Sequence, residues 1–165
     1  PVGWHSLVIN VEHAKQDKFD RTYLRMAEEL AKLSYAERAQ VGALIVKATH
    51  IISEGYNGTP SGPWFRNECE SLDSVGEMHT RPEVIHAESN AITKLARSTN
   101  SSEGATLYVT LAPCFDCAKL IIQAGITRVV YKHKYAQNGL KLLGTAGISV
   151  IRLHDKDDKT NKETP

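Results

Sequence analysis

Long apolar runs are missing from this chain of 165 residues: no stretch of consecutive hydrophobic residues exceeds four. A helix that crosses a bilayer needs about 18 to 20, so a helical membrane protein is excluded. No amino-terminal stretch reads as a signal peptide, and a start on Pro1 in place of Met suggests a few residues left by processing or cloning. Cysteine is scarce and odd in number, with three residues, two of them in one Cys-x-x-Cys. That argues against a disulfide framework; the expectation is the cytoplasm, a reducing compartment, with a metal or redox role for the pair. Neither sign of charge is in excess, since 20 basic and 19 acidic side chains leave a net charge of +1. Bulk attraction to nucleic acid is therefore not the design, and two Trp, six Tyr and three Phe offer few platforms for stacking a strand of bases. What remains is ordinary globular composition, 41% hydrophobic and 24% charged, at a length that suits one domain. We expect a single domain over residues 1–153 and a charged, disordered tail over 154–165.

Periodicity along the chain predicts nine elements. Phe19 to Ser34 reads as an amphipathic helix with Asp20 as its N-cap. Val41 to Lys47 and His50 to Gly55 read as strands too close for a crossover, hence a hairpin. Gly55 to Pro63 is dense in turn formers and reads as an ordered loop; Trp64 to Arg81 shows no period and is expected to be irregular. Glu83 to Arg97 is a second predicted helix, and Thr106 to Thr110 a third strand. Pro113, as the first helical residue, opens a third helix that runs to about Ala124, closed by Gly125. Arg128 to Tyr131, Asn138 to Ala146 and Ile148 to Leu153 complete the order as strand, helix and strand. Alternation of strand and helix favours parallel pairing of the later strands, the fourth and fifth above all, whereas the first two pair antiparallel. The fold class is therefore α/β: three α/β/α layers around a mixed five-stranded sheet.

Chemistry concentrates at two places. His86 stands two residues before Glu88 near the start of one predicted helix, and Cys114 and Cys117 follow Pro113 in the first turn of another. Cysteines three apart share a helix face, and a helix N-terminus lowers thiol pKa and so favours thiolate ligands. One imidazole and two thiolates supply three ligands for a tetrahedral zinc and leave the fourth position open, which is the catalytic pattern. Glu88 is rotated about 200° from His86 on a helix and points off the ligand face. It can still line the same cavity as a proton carrier for a zinc-bound water, whose pKa falls from about 15.7 to about 7. A Cys-x-x-Cys alone reads equally as redox or structural, and a His-x-Glu alone carries almost nothing. A redox role leaves His86 and Glu88 unexplained; the joint pattern points to catalysis.

The His-x-Glu … Pro-Cys-x-x-Cys arrangement resembles the zinc deaminases. Four stretches are similar to the deoxycytidylate (dCMP) deaminases of the cytidine deaminase superfamily: Arg38-Ala-Gln-Val-Gly-Ala-Leu-Ile-Val, Gly55-Tyr-Asn-Gly-Thr-Pro-Ser-Gly, Glu83-Val-Ile-His-Ala-Glu-Ser-Asn-Ala-Ile, and Ala105 to Ile126. The resemblance spans about Phe19 to Leu153 and implies a cytidine deaminase-like fold. It implies zinc on His86, Cys114 and Cys117, with Glu88 as proton shuttle. It further implies that the backbone at Ala87 holds the pyrimidine carbonyl and that Asn57 bonds the sugar. Thr110, Leu111 and Pro113 would wall the pocket, Tyr135 would lie near the nucleotide, and Arg38 is the phosphate candidate. The implied reaction is hydrolysis of dCMP to dUMP and ammonia, which supplies thymidylate synthesis. Family enzymes commonly form hexamers activated by dCTP and inhibited by dTTP with magnesium. The effector is expected at the loop of Gly55, Tyr56, Asn57, Gly58, Thr59 and Gly62. Some relatives hold a second, structural zinc; here Cys69 and His79 remain, with His5, His13 and His133 distant, and Cys69 reads as a small apolar filler.

Charge is uneven along the chain. Cys117 to His154 carries six basic residues and no acidic one, so the remainder carries −5. The bland reading, solvated helix faces and strand ends, suits most of the six. Two other functions compete with a mononucleotide deaminase. A deaminase of tRNA or single-stranded nucleic acid needs a broad basic and aromatic surface that this composition lacks. A non-enzymatic zinc-stabilised module needs a fourth protein ligand, which the spacing does not supply. Neither nucleic acid nor membrane is expected as a partner.

Overall fold

The computed structural model describes residues 4–154, with side chains from residue 12 onward. Helix α1 spans Trp4–Ala31, much longer than predicted. Glu12, Ala14, Lys15, Gln16 and Lys18 are strong helix formers with no Gly or Pro among them, so the helix has no reason to wait for Phe19. Asp20 is accordingly not an N-cap. It lies mid-helix, 3% exposed, and accepts hydrogen bonds from Tyr108 Oη at 2.7 Å, Arg128 Nη1 at 2.8 Å and Gln16 Nε2 at 2.8 Å.

Strands β1 (Gly42–Lys47) and β2 (His50–Tyr56) form the expected antiparallel hairpin. Its two-residue turn places Ala48 at φ 47° and Thr49 at φ 68°, the left-handed pair that a type I′ turn demands. The segment predicted to be irregular contains a second hairpin, β3 (Glu70–Leu72) with β4 (Met78–Thr80). These strands have three residues each and no buried face, so hydrophobic alternation could not reveal them. Asp73 Oδ1 sets the turn by accepting the N–H groups of Val75 and Glu77, both at 2.9 Å.

Helix α2 covers Ala87–Leu95 and starts four residues later than predicted. The residues before it stay out of the helix because Val84 N–H closes a turn on the Arg81 carbonyl at 3.1 Å, and Ile85 and Gly58 exchange backbone hydrogen bonds, 2.8 and 3.1 Å, across an isolated bridge. Then follow β5 (Thr106–Leu111), α3 (Phe115–Gln123), β6 (Arg128–His133), α4 (Leu140–Thr145) and β7 (Ser149–Arg152). Pro113 precedes the cap of α3 rather than opening its first turn. Residues 155–165, which make up nearly all of the predicted tail, lie outside the described residues.

The main sheet has five strands in the order β2-β1-β5-β6-β7. β5, β6 and β7 run parallel to one another, and β1 pairs antiparallel with both β2 and β5. Strand alternation separates two cores. Leu107 and Val109 face α2 and α3 with Ala43, Ala91, Ala118 and Ile121, whereas Tyr108, Leu44 and Val130 face α1 with Tyr23 and Ala27. The layers approach closely at two glycines. A Cβ on Gly42 would lie 2.0 Å from the Ala27 carbonyl oxygen, and one on Gly55 would lie 2.4 Å from that of Ala87. Gly55 and Tyr56 thus belong to β2, and Gly55 serves helix–sheet packing rather than a free loop.

Candidate active site

Two helix N-termini converge at the end of the sheet where β5 leaves and β1 enters. His86 is the N-cap residue of α2, with ψ 154°, and Cys114 is that of α3, with ψ 172°. Extended cap residues swing their side chains off the helix. The Nδ1 of His86 therefore lies 3.4 Å from Cys114 Sγ and 3.4 Å from Cys117 Sγ. A tetrahedral zinc with bonds of about 2.3 Å to sulfur and 2.05 Å to nitrogen has an S···N edge of about 3.6 Å, so this triad fits the ion. Among the described residues no fourth Cys, His, Asp or Glu ligand atom joins the group. Cys114 Sγ also accepts the Cys117 N–H at 3.4 Å, so one candidate ligand serves as the helix cap.

Protonation follows from this crowding. Hydrogen bonds from Cys117 and then His86 hold the Cys114 thiol down at about 4. The same contact, seen from Cys117, adds to burial and pushes the Cys117 thiol up. Contact with the Cys114 sulfur raises His86 against the opposing effect of burial. Two thiols that ionise one at a time suit a cation, since coordination deprotonates a thiol outright. Glu88, 4% exposed, is pushed up to about 7 by burial, with partial relief from its own N–H and from His86.

A cleft of about 220 Å³ opens beside the triad. His86, Cys114, Glu88, Ala87, Asn57, Leu111, Tyr135 and Arg38 all line it, so eight of the residues singled out from sequence meet there. Glu88 and His86 share this wall because His86 is not helical, which removes the 200° separation expected of them. Ala87 occupies the first helical position, where an N–H has no intrahelical acceptor. Asn57 is more committed than the sequence suggests: its Oδ1 accepts the Val41 N–H and its Nδ2 donates to the Ala39 carbonyl, both at 2.8 Å. One amide N–H remains for a ligand.

Three residues do not line the cleft. Thr110 alternates onto the α1 face of β5, where its Oγ1 accepts the Gly42 N–H at 3.2 Å, so its side chain does not wall the cleft. Pro113 is fully buried behind Cys114, its carbonyl accepting the Gly139 N–H at 2.8 Å. Cys117, the third member of the triad, is buried and does not line the cleft. Of the loop residues only Asn57 reaches the cleft lining. Conversely, the cleft uses Ala36, Glu70, Thr80 and Val84, which carried no signal in the sequence. Ser89, adjacent to Glu88, places its hydroxyl 3.6 Å from Cys117 Sγ, a contact that its position beside the His-x-Glu could have suggested. Cys69 is buried, as a filler should be. His79 sits with Asp73 and Glu77 on the β3–β4 hairpin, and the side chain of His5 lies outside those described.

Residues 17–133 match the family model of the cytidine and deoxycytidylate deaminase zinc-binding region. The chain belongs to this family of zinc-binding deaminases. Among individual proteins, the deoxycytidylate deaminase of Enterobacteria phage T4 is 37% identical over 181 residues, covering 86% of this chain and 94% of the phage protein. The crystal structure of dCMP deaminase from the cyanophage S-TIM5, in complex with dCMP and dUMP, matches with a TM-score of 0.76. It is 39% identical and covers 82% of this chain and 97% of that one. A tRNA:A34 deaminase structure, at 21% identity and a TM-score of 0.52, shares the fold alone.

Proposed function

We propose that the protein is a zinc-dependent enzyme that hydrolyses dCMP to dUMP and ammonia, as a single domain over residues 1–153. The observation that carries this reading is one cleft in which an open His/Cys/Cys set meets a buried carboxylate. The S-TIM5 relative, which binds dCMP and dUMP, supports the choice of nucleotide. Zinc, when bound, supplies the Lewis acidity that brings the pKa of water from about 15.7 to about 7. Glu88, itself brought to about 7, would take one proton from the attacking water and pass it to N3 of the pyrimidine, then move the second, from the new C4 hydroxyl, to the amine, which leaves as ammonia. The Ala87 N–H holds the pyrimidine carbonyl, the remaining Asn57 N–H meets the sugar, and Leu111 and Tyr135 wall the base. Arg38 takes the phosphate.

Incubation with dCMP, CMP, cytidine and a tRNA anticodon stem, with ammonia as the readout, tests this directly. Release from dCMP is the expected result; consumption of the RNA alone overturns the reading. Regulation by dCTP and by dTTP with magnesium belongs to the same proposal. Its support is the bridge from Gly58 to Ile85, which couples the loop at residues 57–62 to the residue next to His86. Identical rate curves with and without the triphosphates would remove it. A homo-hexamer in the cytoplasm completes the proposal. Family resemblance supports the oligomer, and three free thiols support the reducing compartment. No helix among the described residues is long and apolar enough to cross a membrane.

A further inference from the structure

The segment from Ser34 to Val41 contributes Ala36, Arg38, Ala39 and Val41 to the cleft lining without helix or strand, and side chains satisfy several of its main-chain N–H groups. Ser34 Oγ donates to the Asn57 carbonyl and accepts the Ala36 N–H, and Asn57 takes the Val41 N–H. Further along, the Glu70 carboxylate accepts two successive main-chain N–H groups, those of Glu37 and Arg38, each at 3.2 Å. Two adjacent N–H groups aimed at one anion form a nest. Directly across the β3–β4 ladder from Glu70 stands Thr80, whose Oγ1 accepts from Arg38 Nη1 at 3.2 Å. One cross-strand pair therefore grips Arg38 twice, by its main chain and by its guanidinium.

A carboxylate this near an arginine ordinarily pairs with it. Here Glu70 spends its acceptors on main chain, a neutral hydroxyl orients the guanidinium, and no carboxylate among the described residues pairs with Arg38. Arg38, Glu70 and Thr80 all line the cleft that holds His86 and Glu88. We propose that Glu70 is a positioning residue that acts through Arg38, leaving an uncompensated guanidinium for the phosphate of a nucleoside monophosphate. The β3–β4 hairpin is thus the element that makes the cleft prefer a nucleotide to a nucleoside. This inference rests on the reading that Arg38 binds the phosphate.

The test is a cycle of E70A, R38A and the double variant in the zinc-loaded protein, with the Kd of dUMP and of deoxyuridine measured by calorimetry. R38A is expected to lower the preference for dUMP by roughly ten- to a hundredfold, the worth of a charged hydrogen bond. E70A should lower it as well, E70Q should restore part of it through its amide oxygen, and the double variant should be no worse than R38A. If R38A collapses the preference while E70A leaves it intact, or if the two losses multiply, Glu70 does not act through Arg38. If R38A leaves the preference unchanged, the phosphate reading itself fails. Should E70A not fold, E70Q takes its place in the cycle and must lower the preference by a smaller factor; no change overturns the inference.

Discussion

Glu88 shows how one residue's surroundings set its chemistry. Its carboxyl is almost wholly buried yet lies beside His86 and Cys117, so burial raises it to about 7 while the neighbouring groups keep it ionisable. A group poised there moves protons in both directions at neutral pH. Glu88→Gln preserves shape and hydrogen-bonding capacity but cannot carry the proton. Its turnover of dCMP is expected to fall by about 10² to 10⁴-fold, with zinc content by atomic absorption and thermal midpoint both unchanged. Retained turnover would remove the shuttle assignment. Asn57 and Thr110 teach the opposite lesson. Their polar groups invited a role in ligand binding, yet main-chain groups, the Val41 N–H and Ala39 carbonyl for Asn57 and the Gly42 N–H for Thr110, already claim most of the first and all of what the second shows.

Among the elements, the helices that carry the candidate zinc ligands are capped unusually. Neither begins with the Ser, Thr, Asp or Asn that stabilises most helix starts; His86 makes no side-chain cap at all, and Cys114 makes one through sulfur. The candidate ligands His86 and Cys114 occupy the cap positions, and packing of Ala87, Ala91, Ala118 and Ile121 against the sheet holds these helices. The β1–β2 turn carries a different compromise, two non-glycine residues in left-handed backbone. Tyr23 Oη donates to the Thr49 carbonyl at 2.8 Å, a contact to main chain that any residue retains. Thr49→Gly is therefore expected to stabilise the fold by about 1 kcal/mol through removal of Cβ crowding. Urea denaturation measures it; a lower midpoint would show that the threonine hydroxyl's bond to Ala48 outweighs the strain.

On the scale of the whole molecule, α1 is tied to the sheet at Asp20. Tyr108 from β5 and Arg128 from β6 both reach its carboxylate. Burial by itself would raise the pKa of Asp20, but bonds from Arg128, Tyr108 and Gln16 outweigh it and hold the group below the usual carboxylate range. Its stabilising effect is therefore complete above about pH 4, the value for an unfolded aspartate, and is lost as pH falls through the lower folded value. Asp20→Asn is expected to cost about 3 kcal/mol near neutrality. The gap to the unsubstituted protein in urea denaturation should narrow as pH drops below about 4. A gap independent of pH would mean that the charge of Asp20 is not what holds α1.

Much of this molecule is legible in one dimension because its signals are local. Strand alternation at Leu107 to Val109 and the spacing of Cys114 and Cys117 depend on neighbours in sequence, and they located the sheet and the candidate ligands. The role of Asp20 and the grip of the β3–β4 hairpin on Arg38 depend on partners tens of residues away, 88 and 108 for Asp20 itself. Such contacts leave no period and no motif. Sequence alone thus determined the chemistry available and the layers that carry it. Tertiary structure decided which residues share the cleft, because a cleft is built where segments distant along the chain compete for the same hydrogen bonds and the same volume.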